Sequence, residues 1–222
     1  MDVPLLASLD AEARERVLGA ARRRRFKRGE TVVREGDPGD SLHLVESGRL
    51  AVRVSTSEGN NATVNLLGPG DYFGELALLD GQPPVRSATI VALGPVTTLV
   101  LSAGAFRDLR KHHRAADDLL LELMALRIEE LSARLLEAMY DPLDRRLHRR
   151  LVELADLYED PGAPAGSPVT IPLTQEHLAE LVGGTRPTVN QALQGLSSLG
   201  VTELGRGRVV VLDRTWLEEH ST

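Results

Sequence analysis

The spacing of apolar residues divides the chain into a β-rich front part and a helical rear part. Apolar positions three and four apart predict a short amphipathic helix over residues 9–21. Short β-rich runs bounded by Gly, Asp, Asn and Pro then predict strands at residues 31–33, 41–45, 50–54, 63–67, 88–92 and 96–101. Regular strands joined by tight turns are typical of an antiparallel sandwich or barrel.

A helical pattern follows Ser102 and ends at Pro142, whose ring removes an amide donor and so indicates a hinge. Within it, apolar residues recur at alternating steps of three and four, the spacing of a coiled-coil seam. We call them the seam: Leu121, Met124, Ile128, Leu131, Leu135 and Ala138. Leu120, Leu123 and Leu126 widen the stripe, so the other face of the helix can pack on the β-rich part. The seam has two interpretations, the pairing of two chains or an ordinary core helix.

The rear part contains two closely spaced helix starts. A helix over residues 143–157 and a strand over residues 169–173 precede them. Thr174 is a predicted N-cap for a helix over residues 175–181, which Gly183 and Gly184 end. Thr185 is the predicted cap of the next helix, with Pro187 in its first turn. Two short helices joined by a glycine turn indicate a helix-turn-helix, and strand-like runs at residues 201–204 and 209–212 predict a wing behind it.

Charge and composition limit the classes of function. The 222 residues carry a net charge of -6 and no cysteine, which excludes disulfides, cysteine-ligated zinc and iron–sulfur clusters. The chain has 16 basic and 14 acidic residues up to Arg114, and 10 basic and 18 acidic residues after it. Such a balance argues against indiscriminate binding to nucleic acid, so any DNA binding depends on local placement of arginine.

The remaining sequence signals favour a cytoplasmic protein that is not an enzyme. The start MDVPLLASLD lacks the basic region and apolar core of a signal peptide, and no run of about 20 apolar residues predicts a membrane span. We find no nucleophile–base pair, Walker loop or metal motif. His43, His112, His113 and His148 lack metal-ligand spacing, so we interpret them as surface histidines and expect no metal.

Several motifs in one order resemble the CRP/FNR superfamily of transcription regulators over almost the whole chain. The resemblance rests on Phe26-x-x-Gly29, Gly36, Gly48, residues 70–79, residues 86–89, residues 173–179 and residues 185–189. It implies an α+β protein with three parts. These are an amino-terminal helix and antiparallel, jelly-roll-like β-roll that binds a cyclic nucleotide (1–114), a dimerisation helix (115–140) and a carboxy-terminal winged helix-turn-helix (141–222).

The resemblance also implies an effector pocket, with cyclic AMP as the expected ligand. Its residues would be Phe73, Gly74, Glu75, Leu76, Ala77, Arg86, Ser87, Arg127 and Ser132. The amides of residues 73–79 would hold the cyclic phosphate, as free N–H groups at a helix start attract anions. Arg86 and Ser87 would contact the same phosphate. Glu75 would bind the ribose 2′-hydroxyl with Arg127 as its counter-charge, and Ser132 would contact adenine across the dimer.

Two departures from the family pattern bear on the effector. Leu131 stands where members that bind cyclic AMP carry a threonine, and residues 82–85 lengthen the stretch before Arg86. Alternatives are another effector, such as haem with a gas or a different anion, or no effector at all. In the last case Glu75 and Arg86 would form a structural ion pair.

On the DNA side, the resemblance places Arg186 against guanine, since an arginine fork matches the guanine O6 and N7 acceptors. Asn190 and Gln191 could bind adenine, while Thr185, Thr188, Arg206 and Arg208 could hold phosphates. We also place Thr174 and Gln175, at the start of the first short helix, in the DNA-binding set. Pro187 and Gln191 replace a glutamate and an arginine of the family, so the half-site would differ.

A second basic feature is a run of four arginines near the hinge, which suits either DNA flanks or a solvated helix face: Arg145, Arg146, Arg149 and Arg150.

The expected partners are pseudo-palindromic double-stranded DNA, a second copy of the chain through residues 115–140, and RNA polymerase, with no membrane. A regulatory module of a kinase, channel or other signalling complex is the alternative from another class.

Overall fold

The structure, a computed structural model, describes residues 11–55, 61–79, 85–112, 115–160 and 162–221. The chain divides into two compact units, Met1–Ser132 and Ala133–Thr222. The described helices are α1 (Ala11–Ala20), α2 (Ala103–His112), α3 (Ala115–Tyr140), α4 (Leu143–Tyr158), α5 (Gln175–Val182), α6 (Arg186–Ser198) and α7 (Arg214–Glu219). The described strands are β1 (Arg22–Phe26), β2 (Thr31–Val33), β3 (Ser41–Ser47), β4 (Leu50–Ser55), β5 (Asn61–Leu67), β6 (Tyr72–Phe73), β7 (Thr89–Ala92), β8 (Val96–Ser102), β9 (Val169–Ile171), β10 (Thr202–Gly205) and β11 (Arg208–Val211).

Among the described residues of the first unit, two four-stranded antiparallel sheets form the β-rich part. Their strand orders are β1-β8-β3-β6 and β2-β7-β4-β5. A buried apolar core joins strands of both sheets, with Phe26, Val45, Leu50, Ile90 and Val96 among its members. The predicted antiparallel sandwich is therefore confirmed, and it places the end of β6 beside the middle of β3.

A second core lies between one of these sheets and the helices of the first unit. Leu42 of β3, Phe106 of α2 and Leu123 of α3 all belong to it. The helical pattern after Ser102 is accordingly two helices rather than one. In a single straight helix Phe106 and Leu123 would lie about 25 Å apart, too far to share a core.

The helix α3 has one buried face and one exposed face. Leu119, Leu120 and Leu123 are buried in the core of the first unit, with Leu123 0% exposed. In the seam, Leu131 is 54% exposed, and Leu121, Ile128 and Leu135 are exposed as well. In a single chain these four seam residues are therefore not part of an ordinary core, whereas Met124 of the seam packs against the core of the first unit. Leu126 is also exposed, so it does not pack on the β-rich part as expected.

Two strands of the first unit were not predicted. The strand β1 contains four consecutive arginines and buries only Phe26, so its side chains carry no alternating pattern. Its backbone pairs with β8 from Arg22↔Val100 to Phe26↔Val96, and this pairing defines the strand. The strand β6 has two residues, too few for any periodic signal.

The second unit is a small helical domain with a three-stranded sheet of order β10-β11-β9. Leu147, Leu178, Val189, Leu193 and Leu217 are buried in it. The strands β10 and β11 form a hairpin in which Thr202 pairs with Val211 and Gly205 with Arg208, which confirms the predicted wing. The sequence did not predict α7, which the Asp213 side chain caps by accepting from the Trp216 amide.

Candidate effector pocket and DNA-binding surface

A tight turn after β6 builds the first candidate site. Gly74 has φ 83°, a left-handed conformation that favours glycine, and it begins the 3-10 turn Glu75–Leu78. The amide of Ala77 donates to the Gly74 carbonyl at 3.1 Å. The amides of Glu75 and Leu76 stand ahead of this first hydrogen bond, where the N–H groups of a helical turn point outward. We call residues 73–78 the anion turn, because this geometry suits an anion.

A buried arginine lies against the anion turn. The Arg86 side chain is 7% exposed, and a Cβ added to Gly74 would come within 2.2 Å of its Nη1 atom. Arg86 Nη1 donates to the Ser41 carbonyl at 2.8 Å, and Nη2 donates to the Ser41 hydroxyl at 3.0 Å. Its ion pair with Asp40 is longer, at 3.4 Å, and the Asp40 side chain is 86% exposed. Burial lowers the pKa of Arg86, although the charges of Asp40 and Glu75 oppose that shift. A second anion beside the guanidinium would relieve the cost of burying it.

The Glu75 carboxylate in the anion turn is paired with the long helix. Glu75 is buried, and its Oε1 atom lies 3.7 Å from Arg127 Nε on α3. Arg127 also donates to Glu130 at 2.7 Å. Glu75 is thus paired with Arg127, and Arg86 with Asp40. The first is the pairing that the sequence predicts.

A tyrosine that precedes the anion turn makes a further contact with the same helix. The Tyr72 hydroxyl donates to the Leu123 carbonyl at 2.9 Å. Burial, together with the charge of Glu75, raises the pKa of Tyr72 to about 12, so the hydroxyl keeps its proton at neutral pH. Tyr72 was not among the predicted site residues, because a tyrosine in a two-residue strand gives no signal of its partner.

The interpretation of His43 as a surface residue is wrong. His43 is buried on β3, and its ring stacks on the Phe73 ring at a centroid distance of 4.6 Å. Burial lowers its pKa to about 3, and the charges of Arg86 and Arg24 act in the same direction, against that of Asp40. A histidine in a strand is compatible with either face, so the burial of His43 was not visible in the sequence.

His148 is half-buried, with Nδ1 3.1 Å from the His220 carbonyl.

The other predicted effector residues are placed as follows. Phe73 and Ala77 are buried within the anion turn, whereas Leu76 is exposed. Ser87 and Ser132 are also exposed, so their contacts with an effector stay predictions. Residues 82–84, His113 and the predicted helix start at residues 9–10 lie outside the described residues.

The helix-turn-helix is confirmed, and both threonine caps form as predicted. Thr174 Oγ1 accepts from the His177 amide at 3.2 Å, and Thr185 Oγ1 accepts from the Thr188 amide at 3.4 Å. Gly183 ends α5 with φ 62°, the left-handed conformation expected of such a cap. Because the two hydroxyls are already used as caps, phosphate contacts from Thr174 and Thr185 would have to share the same oxygen atoms.

The α6 helix has a polar face turned to solvent. Val189, Leu193 and Leu196 are its buried residues. The polar residues predicted to contact DNA are exposed at Arg186, Thr188 and Gln191, and half-buried at Asn190 and at Gln175 of α5. In the wing, Arg206 and Arg208 are both exposed. The start of α6 and the wing therefore present donors and cations to solvent, as a DNA-binding surface requires.

The arginine run near the hinge is largely structural. Arg146 donates to the Val182 carbonyl at 2.7 Å, at the end of α5. Arg149 lies 2.6 Å from Glu137 and 3.0 Å from Asp141, and it donates to the Ser221 carbonyl at 2.7 Å. Arg150 pairs with Glu153 in the next helical turn. The solvated-face interpretation is thus wrong for Arg146, Arg149 and Arg150, which are half-buried, while Arg145 is exposed.

The described residues offer neither a metal cluster nor a membrane-spanning helix. Across the described ranges, no cluster of three or more His, Cys, Asp or Glu side chains is arranged to hold a metal ion. Of the helices in the described part of the chain, none combines the length and apolarity needed to cross a membrane.

Comparison with known proteins matches each of the two parts of the chain to a known domain. Residues 23–113 match the model of the cyclic nucleotide-binding domain, and residues 145–220 match that of the Crp-like helix-turn-helix domain. The chain is 32% identical over 190 residues to the CRP-like cAMP-activated global transcriptional regulator of Mycobacterium tuberculosis, covering 85% of this chain and 83% of that protein. It is 31% identical to the cyclic AMP receptor protein of Thermus thermophilus, covering 97% and 95%. The crystal structure of the Thermus thermophilus catabolite activator protein matches 98% of both chains, with 30% identity and a TM-score of 0.55.

We predict that Gly74→Ala destabilises the protein more than Gly29→Ala. Both glycines have left-handed φ angles, 83° and 80°, so both variants lose about 1–2 kcal/mol from backbone strain. A Cβ at Gly74 would also lie 2.5 Å from the Ser41 carbonyl, whereas a Cβ at Gly29 meets no atom of the described chain within 4 Å. This overlap adds about 1–3 kcal/mol. Urea unfolding measures the difference, and equal losses would contradict the close approach of Gly74, Ser41 and Arg86.

Proposed function

Because the chain belongs to the CRP-like family of transcription regulators, we propose that cyclic AMP binds at the anion turn and controls the DNA affinity of a homodimer. The observation that carries this proposal is the buried Arg86 guanidinium beside the Gly74 backbone. A guanidinium and a set of outward amides are complementary to the single negative charge of a cyclic phosphate. The two relatives named above are described as activated by, or receptors for, cyclic AMP.

The Glu75–Arg127 pair supports a role in binding the ribose. A carboxylate beside a phosphate would repel it, so Glu75 needs both a counter-charge and a neutral hydroxyl to accept from. Arg127, 3.7 Å away, supplies the counter-charge, and the ribose 2′-hydroxyl is the donor that cyclic AMP offers. In the proposed complex, Arg86 and Ser87 hold the phosphate and Ser132 of a second copy contacts the adenine.

Haem is a weaker candidate for the effector. Both ring nitrogens of His43 lie within hydrogen-bond distance of hydroxyls, Nε2 at 3.4 Å from Ser41 and Nδ1 at 3.2 Å from Thr98. Its ring is also stacked on Phe73 inside the β-rich core. Coordination of iron by His43 would therefore break a buried network. A different cyclic nucleotide remains the main alternative, because Leu131 replaces the threonine expected beside the adenine.

The exposed seam supports the homodimer. Four large apolar side chains of α3 (Leu121, Ile128, Leu131 and Leu135) repeat at coiled-coil spacing and face solvent in the single chain. Exposed apolar patches of this kind mark interfaces between proteins. We propose that a second copy covers the seam and that the two α6 helices then enter successive major grooves of a pseudo-palindromic site.

Control of DNA binding requires the effector to bind two forms of the dimer with different affinities. The contacts of Tyr72 and Glu75 with α3 provide a physical basis, because the ligand would touch both the anion turn and the helix that carries the seam. An interaction with RNA polymerase stays a prediction from the resemblance, and a location in the cytoplasm stays a prediction from the sequence signals.

We expect Arg86→Gln to weaken cyclic AMP binding at least about 100-fold, because a buried charged hydrogen-bond pair contributes about 3 kcal/mol or more. Isothermal titration calorimetry measures the affinity. The matched control is Arg34→Gln, since Arg34 is exposed on the same β-rich part. Arg86→Lys keeps the charge without the fork and should give an intermediate affinity. Wild-type affinity in an Arg86→Gln protein that melts normally would show that the phosphate binds elsewhere.

The dimer proposal predicts that Leu131→Asp converts the protein to a monomer, since it places a charge in the middle of the seam. Ala125→Asp introduces the same charge at an exposed position of α3 outside the seam and should leave the dimer intact. Analytical ultracentrifugation distinguishes the two masses. A dimer that survives Leu131→Asp would mean that another surface joins the chains.

For DNA recognition, Arg186→Ala and Arg206→Ala should fail in different ways. Loss of a bidentate arginine–guanine contact costs about 1–3 kcal/mol and relaxes the preference at one base pair of each half-site. Loss of a phosphate contact from each copy weakens binding evenly across sequences and lowers the salt dependence of the dimer by about two ions. Selection from a random duplex library, followed by salt titrations, separates these effects. An unchanged base preference in Arg186→Ala would remove Arg186 from base recognition.

A further inference from the structure

A chain of buried hydrogen bonds continues behind Arg86, away from the anion turn. Arg86 Nη2 donates to the Ser41 hydroxyl, the same hydroxyl lies 3.4 Å from His43 Nε2, and His43 Nδ1 lies 3.2 Å from Thr98 Oγ1. Ser41, His43 and Thr98 are all buried. Polar groups in such positions are costly unless each finds a partner, so the order of donors along the chain is constrained.

The identity of the partners fixes that order. Ser41 Oγ lies 2.8 Å from Asp40 Oδ1, and a carboxylate can only accept, so the hydroxyl proton of Ser41 points to Asp40. The Ser41 oxygen must then accept from both Arg86 and His43. His43 Nε2 therefore carries the proton, and Nδ1 is left to accept from the Thr98 hydroxyl.

The charge state of His43 agrees with this order. A second proton on His43 would place a cation next to the buried Arg86 and would turn Nδ1 from an acceptor of the Thr98 hydroxyl into a donor. Burial lowers the pKa of His43 to about 3. The positive charges of Arg86 and Arg24 contribute to this lowering, and the negative charge of Asp40 opposes it. With its pKa this far below 7, the ring is neutral at pH 7.

We propose that His43 is a positioning residue for the anion-binding arginine. Its Nε2–H group orients the Ser41 hydroxyl oxygen, and Ser41 in turn fixes the Arg86 guanidinium against Gly74. His43 also stacks on Phe73, the first residue of the anion turn. The same ring therefore contacts both Ser41 and the anion turn. The proposal rests on the proposed function in one respect, which is that the anion bound by Arg86 is the phosphate of the effector.

The variant His43→Phe separates the hydrogen bond from the packing, because it keeps a ring that can stack on Phe73 and removes both nitrogens. We expect cyclic AMP to bind about tenfold more weakly to it, as one hydrogen bond to the site is lost. His43→Gln keeps a donor and an acceptor on the side chain and should recover most of the affinity. Affinity equal to wild type in a folded His43→Phe protein would overturn the proposal.

A double-mutant cycle tests the route through Ser41. His43→Phe should have almost no further effect in a Ser41→Ala protein, because the link that it acts on is already absent. Independent, additive losses would mean that His43 acts through packing alone. A melting curve of each variant shows whether the protein used in the titration is folded.

Nuclear magnetic resonance gives a test that does not depend on any ligand. Long-range ¹H–¹⁵N spectra should show the Nε2–H form of neutral His43 without change between pH 8 and pH 5. Rotation of the Arg86 guanidinium should be slow in the wild type and faster in His43→Phe and Ser41→Ala. An Nδ1–H ring or unchanged rotation would contradict the proposal, whereas a wild-type protein that binds no cyclic nucleotide would contradict only the proposed function.

Discussion

The structure of the first site depends on the burial of one positive charge. A guanidinium removed from water must find hydrogen-bond acceptors, and Arg86 finds two on Ser41 while its carboxylate partner Asp40 stays largely in solvent. This requirement explains why residue 74 is a glycine, since any side chain there would occupy the space of the guanidinium. It also gives a reason for the buried polar residues Ser41 and His43 at the start of β3. The arrangement leaves a cation beside outward amides, which is what a small anion needs.

The long helix α3 connects that site to the rest of the molecule. Its inner face completes the core of the first unit through Leu119 and Leu123, and its outer face carries the exposed seam. Arg127 and the Leu123 carbonyl, one helical turn apart, are the points at which Glu75 and Tyr72 contact it. A ligand that changes either contact therefore acts on the element that we propose as the dimer interface. This is a physical basis for coupling between two sites, because both bias the same helix.

Much of the fold could be predicted from the sequence, because its local signals agree with the tertiary structure. The caps at Thr174 and Thr185, the glycine turn and the strand–turn–strand wing are local features, and all form as predicted. The strand β1 was missed because its four arginines are held by backbone pairing rather than by burial. His43, Arg146 and Arg149 were misinterpreted for a related reason. Their partners are tertiary neighbours such as Thr98, Val182 and Ser221, which residue type and spacing do not identify.

The reciprocity of binding tests the central claim most directly. If cyclic AMP and DNA act on one two-state dimer, the factor by which cyclic AMP tightens binding to a selected duplex must equal the factor by which that duplex tightens binding of cyclic AMP. Coupling of this kind typically amounts to about 5–150-fold. Measurement of both affinities, each with and without the other ligand, should give equal factors well above one. A factor of one in both directions, with both ligands bound, would contradict the account.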